Sequence, residues 1–424
     1  MLLITPFMRM LQNPRFLPVC FLAFVAIRLA LILFVPIAEP FSDSGWYLDR
    51  AITLVEKGTY SEDGIPTAYW PVGYAGFLAM LFKVTGTSIV VAQFAQLLLA
   101  AATFWLAYFV TLKSFNDETV ARCAVLLLTI YPNNAAYVPV LLTETLFTFL
   151  LLLAGACLLA RRRWIYIVAG GCVLGLATLV KTQTLLLLPL YAVIATMDGW
   201  SLRSFGSAVG RAAVVSIIAI VVAMPWAVRN YNVLGAPVLA TNGGLSLLAG
   251  NNPFVVGDYG RDYSDKNPLF EKANRDLRDQ VGTDERARAL AYGWIKDNPA
   301  LFLKLIPKKF FRLWAPDGEA EWFYQDTPFH EQHKIAFKVA RYGNQAFYVL
   351  AVCLFPFALW GLVSRRAGPA AYLGLAAICV FTFISIVFSG QSRYHAPLMP
   401  FVLAYAAWVL VRLGVPRTQV HGNA

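Results

Sequence analysis

Asp43 stands in Phe41-Ser42-Asp43-Ser44-Gly45-Trp46-Tyr47, directly after the first long apolar segment. A carboxylate at a membrane surface can take a proton from a hydroxyl or amine within hydrogen-bond reach. That step is what moving a group from a lipid carrier onto a water-borne acceptor requires. The Ser42-Asp43-Ser44 triplet would equally serve as an N-cap for a helix beginning at Gly45. Residue chemistry leaves both readings open, and one Asp can do both. Asp49 is the rival carboxylate, but it belongs to an amphipathic stretch and reads as a solvated face.

Glu144 interrupts an apolar run in Leu141-Leu142-Thr143-Glu144-Thr145-Leu146. Ionisable groups inside spans are costly and usually face a cavity. The plainer alternative is a Glu that reaches the interface or opens a helix after Pro139. Lys181 also breaks an apolar run. Arg229 follows Pro225-Trp226-Ala227-Val228, and Arg393 lies in Ser392-Arg393-Tyr394-His395-Ala396-Pro397. These three cations fall where topology would leave the chain poor in Lys and Arg. A lipid phosphate or pyrophosphate accounts for them, because Arg grips it bidentately. Snorkelling to headgroups is the alternative. Tyr74, Tyr394 and His395 are expected beside Glu144 in the cavity wall. His330-Glu331-Gln332-His333 is too short for a zinc-binding pair at helical spacing. The first loop has no Asp-x-Asp element, so neither metal nor cofactor is expected.

These residues sit in a greasy frame. Of 424 residues, 58% are hydrophobic and 14% charged, well away from the balance of a soluble domain. The net charge of +11 therefore points to topology and anionic headgroups rather than to nucleic acid. All six cysteines lie in apolar segments without a CxxC pair, and read as small buried hydrophobes. The first apolar run lacks a small-residue cleavage pattern and reads as a retained anchor.

Apolar runs long enough to span occur at about 16–38, 88–111, 119–138, 140–160, 164–180, 183–197, 207–228, 344–363, 370–388 and 397–413. Arg9 and Arg15 place the N-terminus inside by the positive-inside rule. Every following inside turn then holds a basic residue: Lys113, Arg161-Arg162-Arg163, Arg203, Arg365-Arg366, and Arg412 with Arg417. The expected fold class is an all-α polytopic membrane protein of about ten spans. Residues 1–228 form the first membrane region, whose outer loop, about 39–87, begins with an interfacial helix from Trp46 to Lys57. Residues 229–343 carry about half of the chain's charges and form a small helix-rich outer domain. Residues 344–424 return to the membrane and end in a short tail.

Several stretches together resemble the glycosyltransferase-C superfamily. The nearest branch is the bacterial glycosyltransferase family 39 group, related to protein O-mannosyltransferases and lipid A aminoarabinose transferases. They are Asp43-Ser44-Gly45-Trp46-Tyr47-Leu48, Trp70-Pro71-Val72-Gly73-Tyr74, Thr143-Glu144-Thr145-Leu146, Lys181-Thr182-Gln183, Pro225 to Tyr231, Asn242-Gly243-Gly244, Gly250-Asn251-Asn252-Pro253 and Arg393 to Pro400. Each is degenerate, but they keep the family's order along nearly the whole chain. Tyr69-Trp70 stand where aminoarabinose transferases carry a Lys, which speaks against that sugar. The resemblance implies a glycosyltransferase-C fold, a polyprenyl-phosphate sugar donor and an outward-facing site with Asp43 as base.

The reading is an inverting, metal-independent glycosyltransferase of a bacterial cytoplasmic membrane. Its acceptor would be an extracytoplasmic lipid, glycan or protein, with Lys181, Arg229 and Arg393 on the donor phosphate. The alternatives are a flippase for a lipid-linked saccharide, which would need a polar path through the whole membrane, and an oligosaccharide ligase.

Overall fold

The computed structural model describes residues 4–160, 163–255, 268–273 and 275–414. Arg161, Arg162 and Arg417 lie outside the described residues. Apolar runs become helices because a bilayer offers the backbone no other hydrogen-bond partner. In order, these are α1 (Ile4–Gln12), α2 (Phe16–Phe34), α3 (Ser42–Lys57), α4 (Gly73–Thr85), α5 (Ile89–Phe115), α6 (Glu118–Ile130), α7 (Pro132–Tyr137), α8 (Thr143–Leu159), α9 (Trp164–Val180), α10 (Thr184–Thr196) and α11 (Leu202–Leu234). Next come α12 (Gly243–Gly250), α13 (Pro268–Ala273), α14 (Gln280–Asp297), α15 (Pro299–Leu313), α16 (Pro328–Gln332), α17 (Lys334–Ser364), α18 (Leu373–Val387) and α19 (Met399–Gly414).

Each of the ten expected apolar segments coincides with helix. Six of the described helical segments are long and apolar enough to cross a membrane: Phe16–Phe34, Ile89–Phe115, Leu202–Leu234, Lys334–Ser364, Pro369–Val387 and Ser392–Leu413. α8, α9 and α10 are shorter. The third expected segment is broken at Tyr131-Pro132, where Pro starts α7 and cannot continue α6. α9 packs on α8 and α11, α5 on α8, α10 on α11 and α18, and α19 on α6 and α17. Arg28 is fully buried on α2. Its guanidinium donates to the Phe24 and Leu128 carbonyls, both at 3.1 Å, and to Asn134 Oδ1 at 2.7 Å, which ties α2 to the break.

The connection after α2 holds two helices and a small antiparallel hairpin, with Ser61 opposite Pro66 and Glu62 opposite Ile65. Its turn is Asp63-Gly64, both with positive φ (51° and 79°), the pairing that a two-residue hairpin turn prefers. An all-helical reading missed it. Arg50 pairs with Glu62 at 3.5 Å and Trp46 Nε1 donates to the same carboxylate at 3.2 Å, which fixes the hairpin on α3.

α9 has 17 residues and α10 only 13, about 26 and 20 Å at 1.5 Å per residue. Both are shorter than the ~30 Å apolar thickness. Arg163 and Asp198 lie at their far ends, so with those residues at one face of a bilayer the link Lys181–Gln183 would stop short of the other. Irregular backbone at that depth is tolerated where it lines a cavity, and this link does so.

Candidate active site

α3 begins at Ser42, with Phe41 in extended conformation as its N-cap and no side-chain capping bond. Asp43 therefore sits in the first turn and does not cap the helix. Its Oδ2 instead accepts from Arg393 Nη1 at 2.7 Å. Ser42 holds φ at +52°, a left-handed conformation that a non-glycine residue adopts at a cost of ~1–3 kcal/mol. That strain lies immediately beside the carboxylate.

Arg393 is carried by a 3-10 turn, Ser392–Leu398, that leads into α19. Its Nε donates to Glu144 Oε1 at 2.8 Å. Lys181 Nζ reaches the same oxygen at 3.3 Å. The backbone N–H of Arg393 donates to Glu319 Oε2 at 3.0 Å. Two anions and two cations thus form one chain: Asp43, Arg393, Glu144, Lys181. Its members come from the start of α3, the turn before α19, the first turn of α8 and the end of α9. Glu144 is 3% exposed and Asp43 29%, so Glu144 holds the two cations from behind while Asp43 fronts open space. Gly73 at the start of α4 permits this. A Cβ there would stand 2.5 Å from the Leu179 carbonyl oxygen, two residues before Lys181.

The open space is a cavity of about 540 Å³. Its lining includes the polar groups of Asp43, Lys181, Arg393, Asn242 and Ser246 and the apolar side chains of Leu185 and Leu186 of α10 and of Ile384 and Phe388 at the end of α18. Trp70, Tyr47, Trp322 and Tyr394 supply flat aromatic surface. Burial above all, with the Asp43 charge adding to it, pushes the Tyr47 hydroxyl well up. Tyr47 therefore stays a neutral phenol. Burial also raises Glu319, against the opposing pull of Ser392 and Arg393.

Of the residues expected to meet here, Asp43, Glu144, Lys181, Arg393 and Tyr394 do, and three do not. Arg229 lies away from the cavity. Its Nη1 and Nη2 donate to the carbonyls of Thr67 and Tyr60, each at 2.7 Å, and it stacks 4.8 Å from Trp226. Loop carbonyls, not a phosphate, account for that cation. Tyr74 is fully buried and donates to Gln96 Oε1 at 3.0 Å. His395 is likewise fully buried, since the residue after Tyr394 in a 3-10 turn points away from the cavity. Its Nδ1 lies 2.6 Å from the Leu313 carbonyl and its Nε2 3.1 Å from Asp317 Oδ1. The ring is stacked between Trp314 and Tyr348.

Asp317 escaped the sequence reading. Pro316-Asp317-Gly318 looks like an exposed turn, yet Asp317 is buried. It accepts from Tyr131 at 2.6 Å, from Asn344 at 3.1 Å and from Asn133. Glu319, Trp322, Asn242 and Ser246 were also missed as site residues. Glu319 and Asn242 interrupt no apolar run, and Ser246 in Leu245-Ser246-Leu247-Leu248 carries no charge whose burial would demand a partner.

These features define a polytopic helical protein with an amphiphilic cavity at one end of its bundle, lined by three members of a four-member ionic chain. A model of the dolichyl-phosphate-mannose-protein mannosyltransferase family matches residues 70–228. No curated protein sequence matches the chain. Among solved structures, the oligosaccharyltransferase of Archaeoglobus fulgidus in its apo form aligns at 13% identity and TM-score 0.53, over 95% of this chain and 51% of that one. The same enzyme with an inhibitory peptide and a dolichol-phosphate aligns at 14% identity and TM-score 0.52, over 95% and 50%. ArnT from Cupriavidus metallidurans bound to undecaprenyl phosphate aligns at 14% identity, over 94% and 78%, with TM-score 0.43. The chain spans about half the length of the archaeal enzyme. The chain thus shares its overall fold with the archaeal enzyme, and residues 70–228 match the mannosyltransferase family model.

Proposed function

We propose that this protein is a membrane glycosyltransferase that moves a sugar from a polyprenyl-phosphate carrier to an acceptor on the outer face of a bacterial cytoplasmic membrane. The observation that carries the proposal is the ionic chain whose Asp43, Lys181 and Arg393 line a cavity that also offers apolar and aromatic surface. A lipid-linked phosphosugar is amphiphilic in the same sense. In support, the archaeal oligosaccharyltransferase that shares the fold has been seen with a dolichol-phosphate.

Arg393 and Lys181 take the donor phosphate. The arriving phosphate competes with Asp43 for the Arg393 guanidinium, and as that ion pair loosens an Asp43 oxygen faces the acceptor. Asp43 removes the proton from the acceptor hydroxyl or amine. The acceptor atom attacks the anomeric carbon from the face opposite the phosphate, the carbon–oxygen bond to phosphate breaks, and configuration inverts. The leaving lipid phosphate gains a negative charge, which the two cations stabilise in a site screened from water. Glu144 keeps both cations in place throughout. The chemistry proposed needs no metal, because Arg393 and Lys181 supply the positive charge. Arg229, Tyr74 and His395 have no direct part in it.

The test is a mass-spectrometric comparison of envelope glycolipids, glycans and glycoproteins from cells with the gene, without it, and complemented by wild type or by Asp43→Asn. One class should lose a fixed sugar mass in the deletion, regain it with wild type and not with Asp43→Asn. The lost mass reports whether the donor carries one sugar or several. Restoration by Asp43→Asn would remove the base from the proposal, and an unchanged inventory would remove the transferase.

A further inference from the structure

α15 has the sequence PALFLKLIPKKFFRL, with four cations and no acidic residue. Leu305, Lys309 and Leu313 make up its buried side. At 3.6 residues per turn the exposed side divides lengthwise. Leu303, Pro307, Phe310 and Phe311 form one strip, and Lys304, Lys308 and Arg312 form the strip beside it. Phe311 is 70% exposed and Leu303 62%. A helix packed on a protein core from one side normally turns polar residues outward. Here half of the outward side is large and apolar.

The level of α15 in the molecule says what meets that side. The helix packs against α18, the end of an apolar segment long enough to span, Pro369–Val387. Lys309 Nζ donates to the Val387 carbonyl at 3.2 Å and to Asn251 Oδ1 at 2.8 Å. Gly390 lies so close to the Lys309 carbonyl that a Cβ would collide with it. α15 therefore lies against the place where α18 leaves the bilayer. α18 itself exposes Phe383 one turn deeper.

We propose that α15 is an interfacial helix of the leaflet on the cavity side. Its Leu303, Phe310 and Phe311 strip lies among acyl chains, and Lys304, Lys308 and Arg312 lie on anionic phospholipid headgroups. Apolar and cationic strips side by side are what such a helix needs, and the absence of acidic residues complements a negative surface. α15 ends in Leu313 and Trp314, the residues that hold His395, two positions from Arg393. The bilayer thus bears on the segment that presents the ionic chain.

The test uses the full chain in nanodiscs with its six native cysteines replaced. Spin labels are placed singly at Phe311, at Leu303 and, as a control, at the exposed Glu285 on α14. Accessibility to oxygen and to a water-soluble nickel complex reports depth. Phe311 and Leu303 should favour oxygen, and Glu285 should favour nickel. Lys304→Glu with Lys308→Glu should move the Phe311 label toward water in discs containing anionic lipid. That shift should collapse in 1 M salt, where the screening length is about 3 Å. Nickel access at Phe311 equal to that at Glu285 overturns the proposal. Shielding of Phe311 from both reagents also overturns it, since that would mean a protein covers the strip.

Discussion

Asp43 and Glu144 both accept from Arg393, at 2.7 and 2.8 Å, yet they stand in different surroundings. Asp43 faces the cavity, whereas Glu144 is buried against two cations. Asn at position 43 keeps an oxygen for Arg393 but cannot take a proton. Asp43→Asn should therefore cut sugar transfer by ~10²–10⁴-fold with little change in apparent unfolding temperature. Glu144→Gln takes the carboxylate from Lys181 and leaves Arg393 with Asp43 alone, and breaking a buried ionic group costs ~3–5 kcal/mol. It should lower the unfolding temperature clearly more than Asp43→Asn does. Activity assays and thermal melts on the purified pair check both, and the reverse order of stability would mean that Asp43 is the structural member. Glu144 and Lys181 were legible in the sequence because a charge inside an apolar run is too costly to lack a partner, and Arg393 because it is a cation at the outer start of the last expected span, where topology does not call for one. The same rule misplaced Arg229, because loop carbonyls satisfy a guanidinium as well as a phosphate does. No rule on cost reaches Tyr74 or His395, whose direction depends on the turn that carries each.

Among the elements, Asp317 joins four: the turn after α15, the α6–α7 break, α17 and the turn before α19. Burial alone would raise its carboxyl. The hydrogen bond and charge of His395, with bonds from Tyr131 and Asn344, hold it below the ordinary value of 3.8. A carboxyl lowered by folding stabilises the fold above its unfolded pKa, and that contribution is lost as pH falls through the folded value. The unfolding temperature of the wild type should therefore fall as pH drops below about 4. Asp317→Asn should be less stable at pH 7 and should converge on the wild type in acid. Melts of both proteins from pH 3 to 7 measure the difference, and a gap that persists unchanged to pH 3 would show that Asp317 acts through packing alone. The spans themselves were legible from apolarity, because the bilayer dictates both length and helix. The break at Pro132 and the Asp63-Gly64 hairpin carry known local signals, but the long apolar and amphipathic patterns around them are stronger. Asp317 carried only a turn signal, because its partners come from segments remote in sequence.

Across the whole molecule, one set of basic residues at helix ends lies at the end of the bundle opposite to the cavity. Lys113, Arg163, Arg203 and Arg365 lie at or next to helix ends, and Arg412 in the last turn of α19. Asp43, Glu144, Lys181 and Arg393 lie at the ends that face the other way along the same bundle. A bilayer that keeps Lys and Arg inside would put the cavity outside. Ten crossings with both termini inside would then carry α12 to α16 on the outer surface, above the cavity. Single cysteines at Glu285 on α14 and at Arg203 on α11, in a chain otherwise free of cysteine, separate the two faces. In intact cells a membrane-impermeant maleimide should label Glu285→Cys and not Arg203→Cys, and permeabilisation should expose the second. Labelling of both in intact cells would put the basic ends and the cavity on one side. An acceptor outside the cell would then have no route to Asp43, however well the four-member chain is built.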